Sequence, residues 1–393
     1  MQLTGGLHLA YCTNIHRGET WTETLAQLER HTLRVRERVW PDRPYAIGLR
    51  LGAEAARELA APSALAAFRR WLERHDCYVF TINGFPYGAF HGTRVKEAVY
   101  APDWTTEERV VYTNRLFDLL AELVPSGGSG SVSTVPGSFK DFIRAPEQEA
   151  AMRRNLWRVV EYVDALAERA GRDLHLGLEP EPLCHLETTS EVARFFAALR
   201  ADRPGDDRLA RRLGVNYDTC HLAVEFEDAR AGLEQLRREG IRLSKLHLSA
   251  ALAVPATPEG RAALTSFNDP VYFHQVVARA SDGALRRFRD LPEALAAAET
   301  ASPAAPAPEW RIHYHVPLHA ALAAPFRTTT DHLEQTLDYL GDHPGLCAHC
   351  EMETYTWEVL PPELRARDVV EQLVAEHRWT LAALARRGFS PVG

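Results

Sequence analysis

The chain has 393 residues, 46% of them hydrophobic and 25% charged, with a net charge of −8. That apolar fraction can fill a large core, and the length suits one barrel with insertions. The acidic balance argues against a nucleic-acid-coating surface and a polybasic membrane patch. No apolar run approaches about 18 residues and no leader-like segment opens the sequence, so a cytoplasmic protein without membrane insertion is expected.

In chain order, Leu7 to Thr13 predicts a first strand, followed by a loop and a helix running to about Val39. Ala46 to Leu51 is a second strand with an Ala-rich helix through Arg74, and Tyr78 to Asn83 a third that opens into the loop from Gly84 to Gly92. A helix from Thr106 to Leu123 leads to a fourth strand, Ser131 to Val135, and an amphipathic helix from Glu147 to Gly171 leads to a fifth, Leu174 to Leu178. The sixth strand ends at Asp218, the seventh at His247 or Leu248, and the eighth runs from Leu346 to Glu353. Such alternation implies a parallel sheet covered by helices, and eight repeats imply closure into a (β/α)8 TIM barrel, one α/β domain spanning residues 1–393. Residues 251–310 interrupt the pattern between strands seven and eight. They read as an insertion of Ala/Pro-rich turns, a helix near Pro270 to Ala280, and an exposed linker at 301–308.

Chemistry in a parallel barrel collects at the C-terminal strand ends, and four consecutive apolar runs stop there on a metal-ligand type: Glu179, Asp218, His247 and Glu353. Singly, an Asp after a strand is an ordinary helix N-cap and a lone His an ordinary structural residue. Four in succession at one level point to a divalent metal, whether Mn, Zn, Mg or Fe. Glu179 is preferred to Glu181 because Pro180 ends the strand, and Glu351 reads as a deeper residue behind Glu353. His221 follows Asp218 by three, and His313 and His315 share a face if extended; these three could hold a second metal. Cys347 and Cys350 match C-x-x-C, but an offset of three on a strand points them to opposite faces, so all six cysteines are read as reduced. Only Lys96, Lys140 and Lys245 are lysines among 45 basic residues, which suggests that each sits where a compact ammonium is wanted.

The order Glu179, Asp218-Thr219-Cys220-His221, His247, Glu353 resembles the xylose-isomerase-like barrels, which include sugar and sugar-phosphate isomerases and epimerases and endonuclease IV. The resemblance implies that Glu179, Asp218, His247 and Glu353 bind one divalent metal, with Glu179 and Glu353 as the proton-transferring pair. His221 would orient a substrate oxygen, His91 and Lys96 would hold a distal anionic group, and Trp21 and Trp357 would wall the pocket. The segments His8 to His16, Asn83 to Gly88 with His91, and Glu353 to Trp357 are similar to the EboE type of barrel, which is associated with metabolite traffic and export. That implies a small-molecule metabolite and partner proteins of the same gene cluster. The alternatives are a metabolite carrier without turnover and an endonuclease IV-like multi-metal hydrolase, though neutral aromatic loops such as Phe85-Pro86-Tyr87 suit a small organic ligand better than DNA.

Overall fold

A computed structural model describes residues 1–89, 96–299, 308–362, 364–365 and 368–392. Eight parallel strands form the barrel: β1 (Leu7–Tyr11), β2 (Tyr45–Arg50), β3 (Cys77–Asn83), β4 (Ser129–Thr134), β5 (Asp173–Leu178), β6 (Leu213–Asp218), β7 (Arg242–Leu248) and β8 (His349–Met352). Each strand pairs with the next from β2 to β8, and β8 pairs with β1. β1 and β2 meet through a single bridge, Cys12 with Gly48, reinforced where the Arg50 backbone N–H donates to Thr13 Oγ1 at 2.8 Å. The barrel is therefore nearly closed. All eight strands fall where the sequence places them, β8 being shorter than expected.

The helical layer follows the predicted order with two refinements. The Ala-rich segment is two helices, Ala53–Leu59 and Pro62–Arg74, because Pro62 opens a new helix at its first position, where a missing N–H costs nothing. The helix ending at Val39 contains a wider turn at Leu28–Thr32. Among the described residues no helix is long and apolar enough to cross a membrane.

The insertion differs from its sequence reading. It builds a five-stranded antiparallel sheet in the order Leu285–Phe288, Val276–Arg279, Glu309–Ile312, Leu252–Pro255, Arg327–Thr328. The expected helix near 270–280 is instead the strand Val276–Arg279: β-branched Val276 and Val277 are buried on its two faces, and its neighbours on both sides supply the backbone partners. Helices lie on either side, at Pro258–Ala263 and Leu291–Glu299. Of the linker, 301–307 lie outside the described residues.

Side chains that alternate along β5 to β8 stack inside the barrel in polar layers. At the lower level His349 Nδ1 meets Ser131 Oγ at 2.8 Å and its ring stacks on His175 at 5.2 Å. One level up, Lys245 Nζ donates to Glu351 Oε2 at 2.6 Å and to Ser133 Oγ at 3.0 Å, in a region where both charged side chains are about 1% exposed or less. The level above, at the strand ends, carries Glu179, Asp218, His247 and Glu353. All six cysteines are buried and free.

Candidate metal centre and substrate cavity

Glu179 follows β5 directly, Asp218 closes β6, His247 is the penultimate residue of β7, and Glu353 follows β8 directly. Register fixes their height: Asp218 pairs with His247 on one side, and Glu351 pairs with it on the other. Each of the four offers a ligand atom within 4.8 Å of the others, and all are buried. His247 Nδ1 faces Glu179 Oε1 at 2.7 Å, Glu353 Oε2 at 3.1 Å and Asp218 Oδ2 at 3.6 Å. The far ring nitrogen, Nε2, donates to Glu351 Oε2 at 2.8 Å, so the Lys245–Glu351 pair beneath fixes the ring with Nδ1 toward the carboxylates.

Asp218 serves two purposes with its two oxygens. Oδ1 caps the helix that begins at Thr219, accepting from the Cys220 and His221 N–H groups at 2.7 and 3.0 Å and from Ser249 Oγ at 2.6 Å. Oδ2 is buried without a hydrogen-bond partner, as is Glu179 Oε2. Glu353 Oε1 is held by Asn14 Nδ2 at 2.7 Å and Asn83 Nδ2 at 3.2 Å. Three buried carboxylates around one imidazole, two with an orphaned oxygen, are a donor set suited to a divalent cation: such oxygens left bare would be costly. Burial opposes ionisation of Asp218, yet His221, His315 and His247 hold it well below the usual carboxylate range. Burial likewise opposes charge on His247, and Glu353 and Glu179 overcome this and raise it well above the usual value.

Beside this cluster lie three histidines. Nδ1 of His221 meets the Pro180 carbonyl at 3.1 Å, Nδ1 of His313 meets Gln275 Oε1 at 2.8 Å, and Nδ1 of His315 meets the Glu353 carbonyl at 2.9 Å. Those oxygens only accept, so each of the three rings donates through Nδ1. His221 Nε2 and His315 Nε2 face each other at 3.4 Å. Triads Asp218–His221–His315 and Glu181–His221–His313 each satisfy metal-ligand proximity. Burial lowers His313 well below its usual value, with His221 and His315 adding to the effect.

A cavity opens over Glu179, Glu353 and His221, walled by Phe85, Tyr100, Tyr272 and Tyr355. Lys96 lines it as well, with Nζ bound to Asp290 Oδ2 and the Tyr272 carbonyl, both at 2.7 Å. The two tryptophans are placed elsewhere. Trp21 packs edge-on to Phe68 at 4.7 Å in the helical layer, its apolar ring better satisfied in the core, and Trp357 lines a separate surface groove with His31 and Arg34. His91 lies outside the described residues. Sequence reasoning missed Asn14 and Asn83 and set Glu181 aside in favour of Glu179. Asn83 ends a predicted strand and was open to the same strand-end argument, whereas Asn14 lies on a loop and gave no signal. Glu181 is buried, with Oε1 accepting from Tyr100 Oη at 2.5 Å and Oε2 unpartnered. Burial pushes it up to about 7.

No family model matches the chain, and no curated protein matches it by sequence. Solved structures do resemble it. A D-tagatose 3-epimerase-like protein superposes with a TM-score of 0.52 at 11% identity over 97% of this chain and 98% of that one. An L-ribulose 3-epimerase gives 0.51 at 11% over 99% and 96%. A protein described as a probable 3-DHS dehydratase, AsbF, involved in petrobactin synthesis in Bacillus anthracis, gives 0.50 at 12% over 95% and 98%. The fold is therefore a xylose-isomerase-like TIM barrel, a scaffold that carries more than one chemistry.

Proposed function

We propose that the protein is a divalent-metal-dependent isomerase or epimerase acting on a small polyhydroxylated or keto metabolite. The observation that carries this reading is the arrangement about His247 Nδ1: two orphaned carboxylate oxygens, and two glutamates, Glu179 and Glu353, at 2.7 and 3.1 Å from it. Glu179, Asp218, His247 and Glu353 would hold the ion, which when bound supplies Lewis-acid stabilisation of negative charge on substrate oxygens. Glu179 then takes the proton from the carbon beside the carbonyl and Glu353 returns one, or the reverse. Asn14 and Asn83 fix the orientation of Glu353 for that task. His221, tethered through Nδ1 and lining the cavity, orients the substrate oxygen. The dense aromatic walls exclude water from the carbanionic carbon.

The EboE assignment belongs to the same proposal. The three segments that carry that resemblance supply Asn14, Asn83 and Glu353, and they meet at one carboxylate. On this reading the reaction serves metabolite traffic, together with proteins of the same cluster. His221, His313 and His315 would take a second ion. That trio is also what a multi-metal hydrolase of the endonuclease IV kind needs, so both activities are tested together. Metal-loaded protein in deuterated water is expected to place deuterium on the carbon beside the carbonyl of its hydroxyketone substrate, and Glu353→Gln to stop this. Cleavage of abasic DNA without exchange would assign the hydrolase instead, and tight metabolite binding with neither would assign a carrier.

A further inference from the structure

The walls of the cavity over the strand ends are largely aromatic. Above Glu179 and Glu353 one wall is a continuous stack in which Phe85 lies on Tyr100 at 5.8 Å and Tyr100 on Phe139 at 5.0 Å. The facing wall is Tyr272 set edge-on to Tyr355 at 5.4 Å, with Phe273 beside them. Among the described residues that line the cavity, Lys96 is the single lysine or arginine, and its charge is already balanced by Asp290. The third carboxylate, Glu181, stands in the same space with a bare buried oxygen.

Phosphate recognition needs uncommitted cations or a cradle of backbone N–H groups. A phosphorylated sugar here would bring a dianion to aromatic rings, a neutralised lysine and an additional carboxylate.

We infer that the substrate is an uncharged ketol or polyol carrying an aromatic or aliphatic body, its oxygens on the carboxylate floor and its apolar body between the Phe85–Tyr100 and Tyr272–Tyr355 walls. This deepens the proton-transfer reading of the same site and rests on it. Glu181 and Tyr100 face the body's inner edge, where a hydroxyl of the ligand can donate to the bare Glu181 oxygen. Among the described residues that line the cavity, no uncommitted lysine or arginine meets a phosphate group.

Three probes share one ketol head and differ only in what it carries: dihydroxyacetone, dihydroxyacetone phosphate and 2-hydroxyacetophenone. Calorimetric titration of the Mn²⁺-loaded protein is expected to rank 2-hydroxyacetophenone at least about tenfold tighter than dihydroxyacetone, the gain expected for burying one phenyl ring. Dihydroxyacetone phosphate should bind no better than dihydroxyacetone. Phe85→Ser should remove most of the aromatic preference, read as the ratio of the two affinities. Tightest binding of the phosphate, or an aromatic preference that survives Phe85→Ser, overturns the inference. Deuterium exchange on the same probes separates the two readings: exchange with a phosphate preference sustains proton transfer and defeats the inference, whereas the aromatic preference without exchange does the opposite. Failure of all three to bind defeats both.

Discussion

Lys245 is the keystone under the metal centre, and replacing it with methionine isolates what its charge does. Methionine fills a similar volume, so the change leaves Glu351 as a buried anion whose remaining close partner is His247. Breaking a buried pair on one side costs about 3–5 kcal/mol. With an unfolding entropy near 2.1 cal/mol/K per residue over 393 residues, that corresponds to a fall of about 4–6 °C in Tm. Burial by itself would raise Glu351, but Lys245 and His247 hold it down to about 2 from an ordinary 4.5. A depressed acid contributes stability above its unfolded pKa and loses it as pH falls, so the wild-type advantage over Lys245→Met should be full above about pH 5 and shrink toward pH 2. The His247 ring loses its anchor in the same variant, and metal affinity should drop about 10–100-fold. The assay is thermal unfolding with and without metal, from pH 3 to pH 8. Adding Glu351→Gln keeps an acceptor for His247 Nε2 and removes the stranded charge, so the double variant should regain most of the stability. If the double variant is no more stable than Lys245→Met, the loss comes from packing and the electrostatic reasoning is refuted.

Gly48 lies where a Cβ would overlap Glu351 Oε1 and sit 2.6 Å from the Tyr11 carbonyl oxygen, so Gly48→Ala should cost several kcal/mol, about 2–4 by analogy with overpacked cores, and weaken metal binding, read by calorimetry. Burial pushes Glu376 up to about 7 from 4.5. The folded state therefore keeps a proton that the unfolded state releases, and stability declines between about pH 4.5 and 7 by up to about 3 kcal/mol and is level above. Glu376→Gln, retaining the acceptor for the Thr354 hydroxyl, should match wild type at pH 5 and exceed it at pH 8 in denaturant unfolding. Chelation of the loaded protein should remove about 4 kcal/mol of stability when metal stands at a thousandfold over its Kd, whereas Glu179→Gln and Asp218→Asn should bind too weakly to show the difference in Tm.

The parts of this molecule that repeat by local rule were legible in the sequence. Period-two alternation placed His349, Glu351 and Glu353 on one face, and hydrophobic runs with helical spacers between them placed all eight strands. What pairs across strands was not legible. Lys245 and Glu351 are 106 residues apart, and only the β7–β8 register brings them together. Lys96 shows the same limit: its rarity singled it out, but its pairing with Asp290, 194 residues away in the insertion, was not legible. The insertion itself was misread because antiparallel strands of four residues, such as Val276–Arg279, are too short for periodicity to separate them from helix. Trp21 and Trp357 were placed by loop position, which fixes the end of the barrel and not the direction of a side chain.

The central claim is that a divalent ion sits between Glu179, Asp218, His247 and Glu353, and crystals soaked in Mn²⁺ test it most directly through anomalous scattering. A strong peak is expected about 2.0–2.6 Å from His247 Nδ1 and from oxygens of all three carboxylates, absent from Asp218→Asn crystals. A peak confined to His221, His313 and His315, or none at saturating Mn²⁺, would contradict it.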